Sequence, residues 1–226
     1  MKRILSTLLL LSLLISMSVA SADFAKMEGD FSIRGGIQFG MTPEEVKSIE
    51  KGSASEKEKK DYFEIGYGGF DSLAGIPIYR AKSDIITYQF DMISKKLVAV
   101  NYWFGYYDGS ADAYFNELCT TIAAKYGAPY NDNNGKVFNV ITPALESWIN
   151  LINMGFSYKV SNLSDWILEY DDYYVLINVF TLRDADNNSD QLLVGYKFIT
   201  RDEMARILEN AESEIREKEK QRNNDI

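Results

Sequence analysis

Strand-forming residues fall in two long runs, 62–104 and 158–199, and each run follows helical sequence. Strands and helices do not alternate one for one. That grouping argues against doubly wound and barrel scaffolds and for an α+β fold. The expected layout is antiparallel sheet in two runs of four and three strands, with short flanking helices and a longer C-terminal helix. In the first run the strands are Tyr62–Tyr67, Ile76–Arg80, Ile85–Phe90 and Leu97–Phe104. Pro77 places the second of these at an edge, because proline cannot donate to a ladder. In the second run they are Trp166–Tyr170, Tyr173–Leu182 and Leu192–Thr200. Asp171-Asp172 reads as a tight turn and 183–191 as a hairpin loop. Val98, Val100 and Tyr102 alternate with Ala99, Asn101 and Trp103, so both faces of that strand carry apolar residues and part of the sheet is covered on each side.

Helix signals frame the strands. Thr42-Pro43-Glu44-Glu45 combines an N-cap, a first-turn proline and a capping-box glutamate, and Gly52 is the expected stop. Residues 53–61 read as a charged loop. A second helix spans 110–127, with Phe115, Leu118 and Ile122 as its apolar stripe. A third begins at Thr142-Pro143, with Leu145, Trp148, Ile149 and Ile152 at helical spacing, and ends at Gly155. The last runs from about 201 to 220. Its narrow stripe is Met204, Leu208, Ala211 and Ile215, and Glu212/Arg216 and Glu214/Lys218 are spaced as ion pairs. The organisation is then one α+β domain over 23–200, followed by a charged helix and a frayed tail over 201–226. The halves 31–127 and 128–200 share a loose layout without a residue-level repeat.

Residues 1–22 carry the three parts of an export signal. Lys2 and Arg3 are the basic head, Ile4–Val19 the apolar stretch, and Ala20-Ser21-Ala22 the small-residue cleavage site. Cleavage after Ala22 implies a secreted, periplasmic or otherwise extracytoplasmic protein with no transmembrane segment. It also lowers the net charge from −9 to −11, since only two lysine or arginine residues are lost. A chain so acidic is repelled by phosphate backbones, so nucleic acid is not an expected partner.

The stretch Gly36-Ile37-Gln38-Phe39-Gly40-Met41-Thr42-Pro43-Glu44-Glu45-Val46 carries a GMTxEEV pattern. It resembles the entry helix of small exported bacterial domains of the SmpA/OmlA type, the lipoproteins of outer-membrane assembly, and of β-lactamase-inhibitor-protein-like domains. The resemblance implies a bacterial source, a short helical part packed on an antiparallel sheet, and binding of other proteins rather than catalysis. It covers about 11 residues plus the element order. This chain departs from it in lacking an N-terminal lipid cysteine and in its length. No functional residue is carried over.

Chemistry is constrained by what is missing. The chain has no histidine and one cysteine, which excludes Ser-His, Cys-His and cysteine-cluster metal sites. Cys119 lies in a helical pattern and reads as a small buried hydrophobe. Ser48-Ile49-Glu50-Lys51 is the only S-x-x-K string and reads as surface, because no oxyanion element follows it. Gly66-Tyr67-Gly68-Gly69-Phe70 has no helix after it and is no phosphate loop. Asp91, Asp108, Glu146 and Glu169 are candidate carboxylates, but no spacing singles out a glycosidase pair. No cofactor is expected. A calcium candidate is Asp184, Asp186, Asn188 and Asp190, whose alternating oxygens match the start of an EF-hand loop. Ser189 and Gly195 stand where that loop needs glycine and glutamate, so binding would be weak.

Aromatic residues cluster in strands. Tyr106, Tyr107, Tyr173 and Tyr174 flank turns, where one of each pair is expected to face outward. They form the candidate partner or ligand surface. The expectation is an exported, non-catalytic protein that binds another protein. The alternative is a carbohydrate or cell-wall polysaccharide module built on exposed aromatics.

Overall fold

A turn at Gly35-Gly36 precedes the first helix. Both glycines have positive φ, and Ile33 N–H donates to the Ile37 carbonyl at 2.9 Å. Two consecutive positive-φ positions are what a tight two-residue turn needs, and glycine meets that at no steric cost. The computed structural model describes residues 24–68, 72–73, 76–77, 83–106, 109–130, 158–184 and 189–224. The export segment expected at 1–22 and the helix expected from Thr142 to Gly155 lie outside them.

The strands are β1 (Ala25–Lys26), β2 (Ser55–Glu58), β3 (Tyr62–Gly68), β4 (Ser72–Leu73), β5 (Ile76–Pro77), β6 (Ser83–Asp91), β7 (Leu97–Tyr106), β8 (Tyr158–Glu169), β9 (Tyr173–Asp184) and β10 (Ser189–Thr200). The helices are α1 (Pro43–Glu50), α2 (Ala111–Tyr126) and α3 (Arg201–Asn224). Eight strands form one mixed sheet in the order β1-β8-β9-β10-β7-β6-β3-β2.

This corrects the expectation of two antiparallel runs of four and three strands. β10 pairs antiparallel with β7 from Asp190↔Tyr106 to Lys197↔Ala99, which joins the two runs into a single sheet. Each of these long apolar strands would otherwise present an open edge, and pairing removes both. The sheet is mixed because β1 adds parallel to β8, with Met27 N–H donating to the Glu169 carbonyl at 2.8 Å. Two residues carry no periodic signal, so β1 was not legible. Of the strand expected at 76–80, Ile76–Pro77 are described, and they pair with β4 in a separate ribbon. The charged stretch 53–61 holds β2, a fully exposed edge strand of alternating charge that blunts the sheet edge.

The N-cap of α1 follows the sequence closely. Thr42 Oγ1 accepts from Glu45 N–H at 3.3 Å, and Thr42 N–H donates to Glu45 Oε2 at 2.7 Å. The helix ends one residue before the expected glycine, with Lys51 taking the left-handed conformation at φ 52°. Among the described residues no helix is long and apolar enough to cross a membrane.

The core lies mainly on one face of the sheet. Phe115, Leu118 and Ile122 of α2, with Phe31, Ile37 and Val46, cover Tyr88, Val100, Tyr102, Phe104, Ile177, Val194 and Tyr196. Trp166 is buried there and donates from its indole N–H to the Gly127 carbonyl at 3.0 Å. On the second face, one end is covered by the first turns of α3. Met204 is buried, and Ile207 and Leu208 are partly buried, against Phe24, Ile167, Tyr174, Leu176 and Ile199. From Glu209 onward every α3 side chain that is described is exposed.

Candidate functional site

Of the residues marked by sequence as a tyrosine surface, Tyr106, Tyr173 and Tyr174 pack against other parts of the chain. Tyr106 is buried and stacks on Tyr114 at 5.1 Å. Tyr173 is partly buried, stacks on Tyr170 at 4.7 Å and on Phe198 at 5.1 Å, and accepts from Phe31 N–H at 2.9 Å. Tyr174 is buried beneath the Arg201 guanidinium, 5.1 Å from its ring centre. Arg201 also donates to the Tyr170 carbonyl and contacts Glu169, so it clamps the β8–β9 turn to the start of α3. Tyr107 lies outside the described residues. The Asp171-Asp172 turn is tight, with Tyr170 N–H donating to the Tyr173 carbonyl at 2.9 Å.

Of the calcium candidate, Asp186, Asn188 and the Asp184 side chain lie outside the described residues. Asp190 is buried and engaged elsewhere. Its carboxylate accepts from Gly109 N–H at 3.3 Å and from Ala111 N–H at 3.0 Å. It therefore caps α2 from a different strand, in place of the Ser110 hydroxyl, which makes no cap hydrogen bond. Cys119 is half-buried, and burial pushes its thiol up, which disfavours the reactive thiolate.

Beyond α3 the second face is organised in rows that cross the strands, and Asp165, Asn178, Phe180 and Leu193 in them are buried. One row is polar: Asp165, Asn178, Gly195, Asn101 and Thr87 sit opposite one another in register. The row on one side is apolar: Leu163, Phe180, Leu193, Trp103 and Ile85. The row on the other side ends in Ala99, Gln89, Glu64 and Lys57. Gly195 has no side chain, so the middle row dips at that position. The result is a cleft of about 340 Å³, with Trp103, Ile85 and Leu193 on one wall and Gln89, Glu64 and Lys57 on the other. That size lies at the lower end of ligand-binding pockets.

Its chemistry is mixed. Trp103 is only partly buried, and Ile85 is 47% exposed, so the apolar wall is incompletely covered. Asn101 lines the cleft, and its Oδ1 is shielded from solvent with no hydrogen-bond partner among the described residues. A buried acceptor left unpaired costs ~1–3 kcal/mol, so a ligand donor there gains accordingly. Gln89 Nε2 donates to Glu64 Oε2 at 3.3 Å. At the rim the neighbouring Lys57 holds the Lys59 ammonium below its usual range, and burial pushes the Tyr62 phenol up. At the far end of the polar row Asp165 accepts from Asn178 Nδ2 at 2.6 Å, and burial pushes its carboxyl up to about 6.

Glu64 is the one carboxylate lining the cleft among the described residues. No second acid faces it there, so the lining presents donors, acceptors and an aromatic wall. The sequence carried part of this signal, because Ala99, Asn101 and Trp103 were visible as one face of their strand. Their alignment with Gly195, Phe180 and Gln89 depends on register between distant strands, which no local pattern encodes.

Comparison with protein families, with curated proteins and with solved structures finds no match.

Proposed function

We propose that this chain is an exported, non-catalytic binding protein whose recognition surface is the second-face cleft and whose ligand is another protein. Export rests on the basic head, apolar stretch and cleavage site of residues 1–22. The single observation that carries the binding role is a partly exposed Trp103 two residues from Asn101, whose Oδ1 is unpaired among the described residues, beside the dip at Gly195. Tryptophan anchors in a desolvated pocket dominate many protein interfaces. A backbone N–H from an inserted loop is the donor that Asn101 lacks.

A polysaccharide is the second reading, favoured by the indole wall beside amide side chains. One experiment separates the two. The purified protein is immobilised and offered detergent-solubilised envelope protein or protein-free wall polysaccharide, alongside Trp103→Ala and Ile85→Asp. The proposal expects one envelope protein to be retained, with at least ~30-fold loss of affinity in Trp103→Ala, from the ~2 kcal/mol or more that an anchor contributes. Retention of the wall fraction alone favours the polysaccharide reading. Retention unaffected by either variant places binding elsewhere.

A further inference from the structure

We propose that a second pocket, on the opposite face of the sheet, binds a small carboxylate with an apolar body. The pocket has a volume of about 550 Å³ and lies between the Phe31–Gly35 segment and the last turns of α2. Its floor is Tyr102 and Tyr196, and Arg34, Lys125 and Tyr126 stand around it.

Charge is the first argument. The chain is strongly acidic, yet this pocket is lined by an arginine and a lysine and by no carboxylate among the described residues. Arg34 Nε lies 3.4 Å from Glu50 Oε1, so Glu50 offsets part of its charge from outside the lining. Glu50 also accepts from the Tyr88 hydroxyl, which fixes that carboxylate away from the pocket. Lys125 has no carboxylate within ion-pair distance among the described residues. Its ammonium lies 4.7 Å from the Tyr126 ring centre, an arrangement that leaves it able to face an anion.

Shape and donors are the second argument. Phe31 lies 5.5 Å from Tyr196 and 6.2 Å from Tyr126, and Tyr102 lies 5.9 Å from Tyr196, so rings surround the space. Ile33 and Ile122 add apolar surface. Burial pushes the Tyr102 and Tyr196 phenols up, so they stay neutral and keep their O–H donors. A guanidinium, an ammonium and the Tyr196 phenol match a carboxylate head, and the rings and isoleucines match an apolar body of benzoate size.

This site is independent of the cleft proposed above, so the two fail separately. The test is calorimetric titration of the purified protein with benzoate, benzyl alcohol and inorganic phosphate. The expected result is saturable benzoate binding with Kd below about 1 mM, at least tenfold weaker binding of benzyl alcohol and phosphate, and tenfold loss in Lys125→Met. Lys125 is exposed, so that variant keeps the fold, and Arg34→Gln serves as a second probe with its folding checked by circular dichroism. Trp103→Ala should leave benzoate binding unchanged. Absence of saturable benzoate binding overturns the proposal. So does equal affinity for benzyl alcohol or phosphate, or undiminished binding in both charge variants.

Discussion

Replacing Asp190 tests whether the two halves of the chain are tied together as described. Its carboxylate reaches from β10 to the start of α2 and accepts two backbone N–H groups, at 3.3 and 3.0 Å. Asp190→Ala removes both acceptors and leaves the Ala111 N–H buried without its partner. Losing a cap costs ~0.5–2 kcal/mol, and each hydrogen bond to a charged group contributes ~1.5–3 kcal/mol. The two figures overlap, so the expected loss is about 2–4 kcal/mol. For a chain of this size that is a fall in Tm of roughly 5–15 °C. Asp190→Asn keeps one carbonyl acceptor and should lose about half as much. Urea and thermal unfolding followed by circular dichroism give both numbers. A loss below ~0.5 kcal/mol in Asp190→Ala would refute the capping role. The same variant settles the calcium candidate. With its oxygens engaged, Asp190 is not an available ligand, and calcium should not move Tm. A site with Kd near 0.5 mM would instead add ~1.4 kcal/mol at 5 mM calcium, and its disappearance in Asp190→Ala would return the residue to a metal role.

Three further outcomes follow from buried groups and from α3. Asp165 has its carboxyl raised to about 6, so the folded state holds a proton that the unfolded state releases near pH 4, and this contribution to stability is complete below pH 4 and lost as pH rises through 6. Asp165→Asn should therefore stabilise by about 1–3 kcal/mol at pH 7–8 and by little at pH 3–4, and urea unfolding across that range that shows a pH-independent effect would contradict the assignment. Removing residues 209–226 should change stability by less than ~1 kcal/mol, because the described side chains there are exposed, whereas removing 201–226 also deletes buried Met204 and should cost at least ~2–5 kcal/mol. Tyr173→Phe should lose about 1 kcal/mol through the hydrogen bond from Phe31 N–H, measured by thermal unfolding, and no loss would mean that water replaces the hydroxyl.

Local features were legible in the sequence wherever local physics sets them. The Thr42–Glu45 capping box, the α2 stripe and the Asp171-Asp172 turn all form where residue spacing placed them. Sheet assembly was not legible. Nothing near Leu192 or Phe104 indicates that these two strands pair, yet that pairing makes one sheet of two runs. The tyrosines misled for a related reason. Alternation says that Tyr173 and Tyr174 point to opposite faces, and it was taken to mean that one faces solvent. In the structure Tyr173 is partly covered by Phe31 and Phe198 on one face, and Tyr174 is buried by Arg201 and Phe24 on the other. The cleft was half visible, in the polar Asn101 and Gln89 among apolar neighbours. Its other half, Gly195 and Phe180, comes from strands almost 80 or more residues away and is brought alongside by register alone. The first turns of α3 are tied to the domain, because Arg201 bonds the β8–β9 turn and Met204 is buried against the sheet.

The most direct test of the central claim is quantitative capture of solubilised envelope protein by wild-type, Trp103→Ala and Ile85→Asp proteins side by side, each verified as folded. The account predicts one discrete protein retained by the wild type and lost, by at least ~30-fold in affinity, from Trp103→Ala, with a smaller loss in Ile85→Asp at the rim. Equal retention by all three, or no protein retained by the wild type, would contradict it.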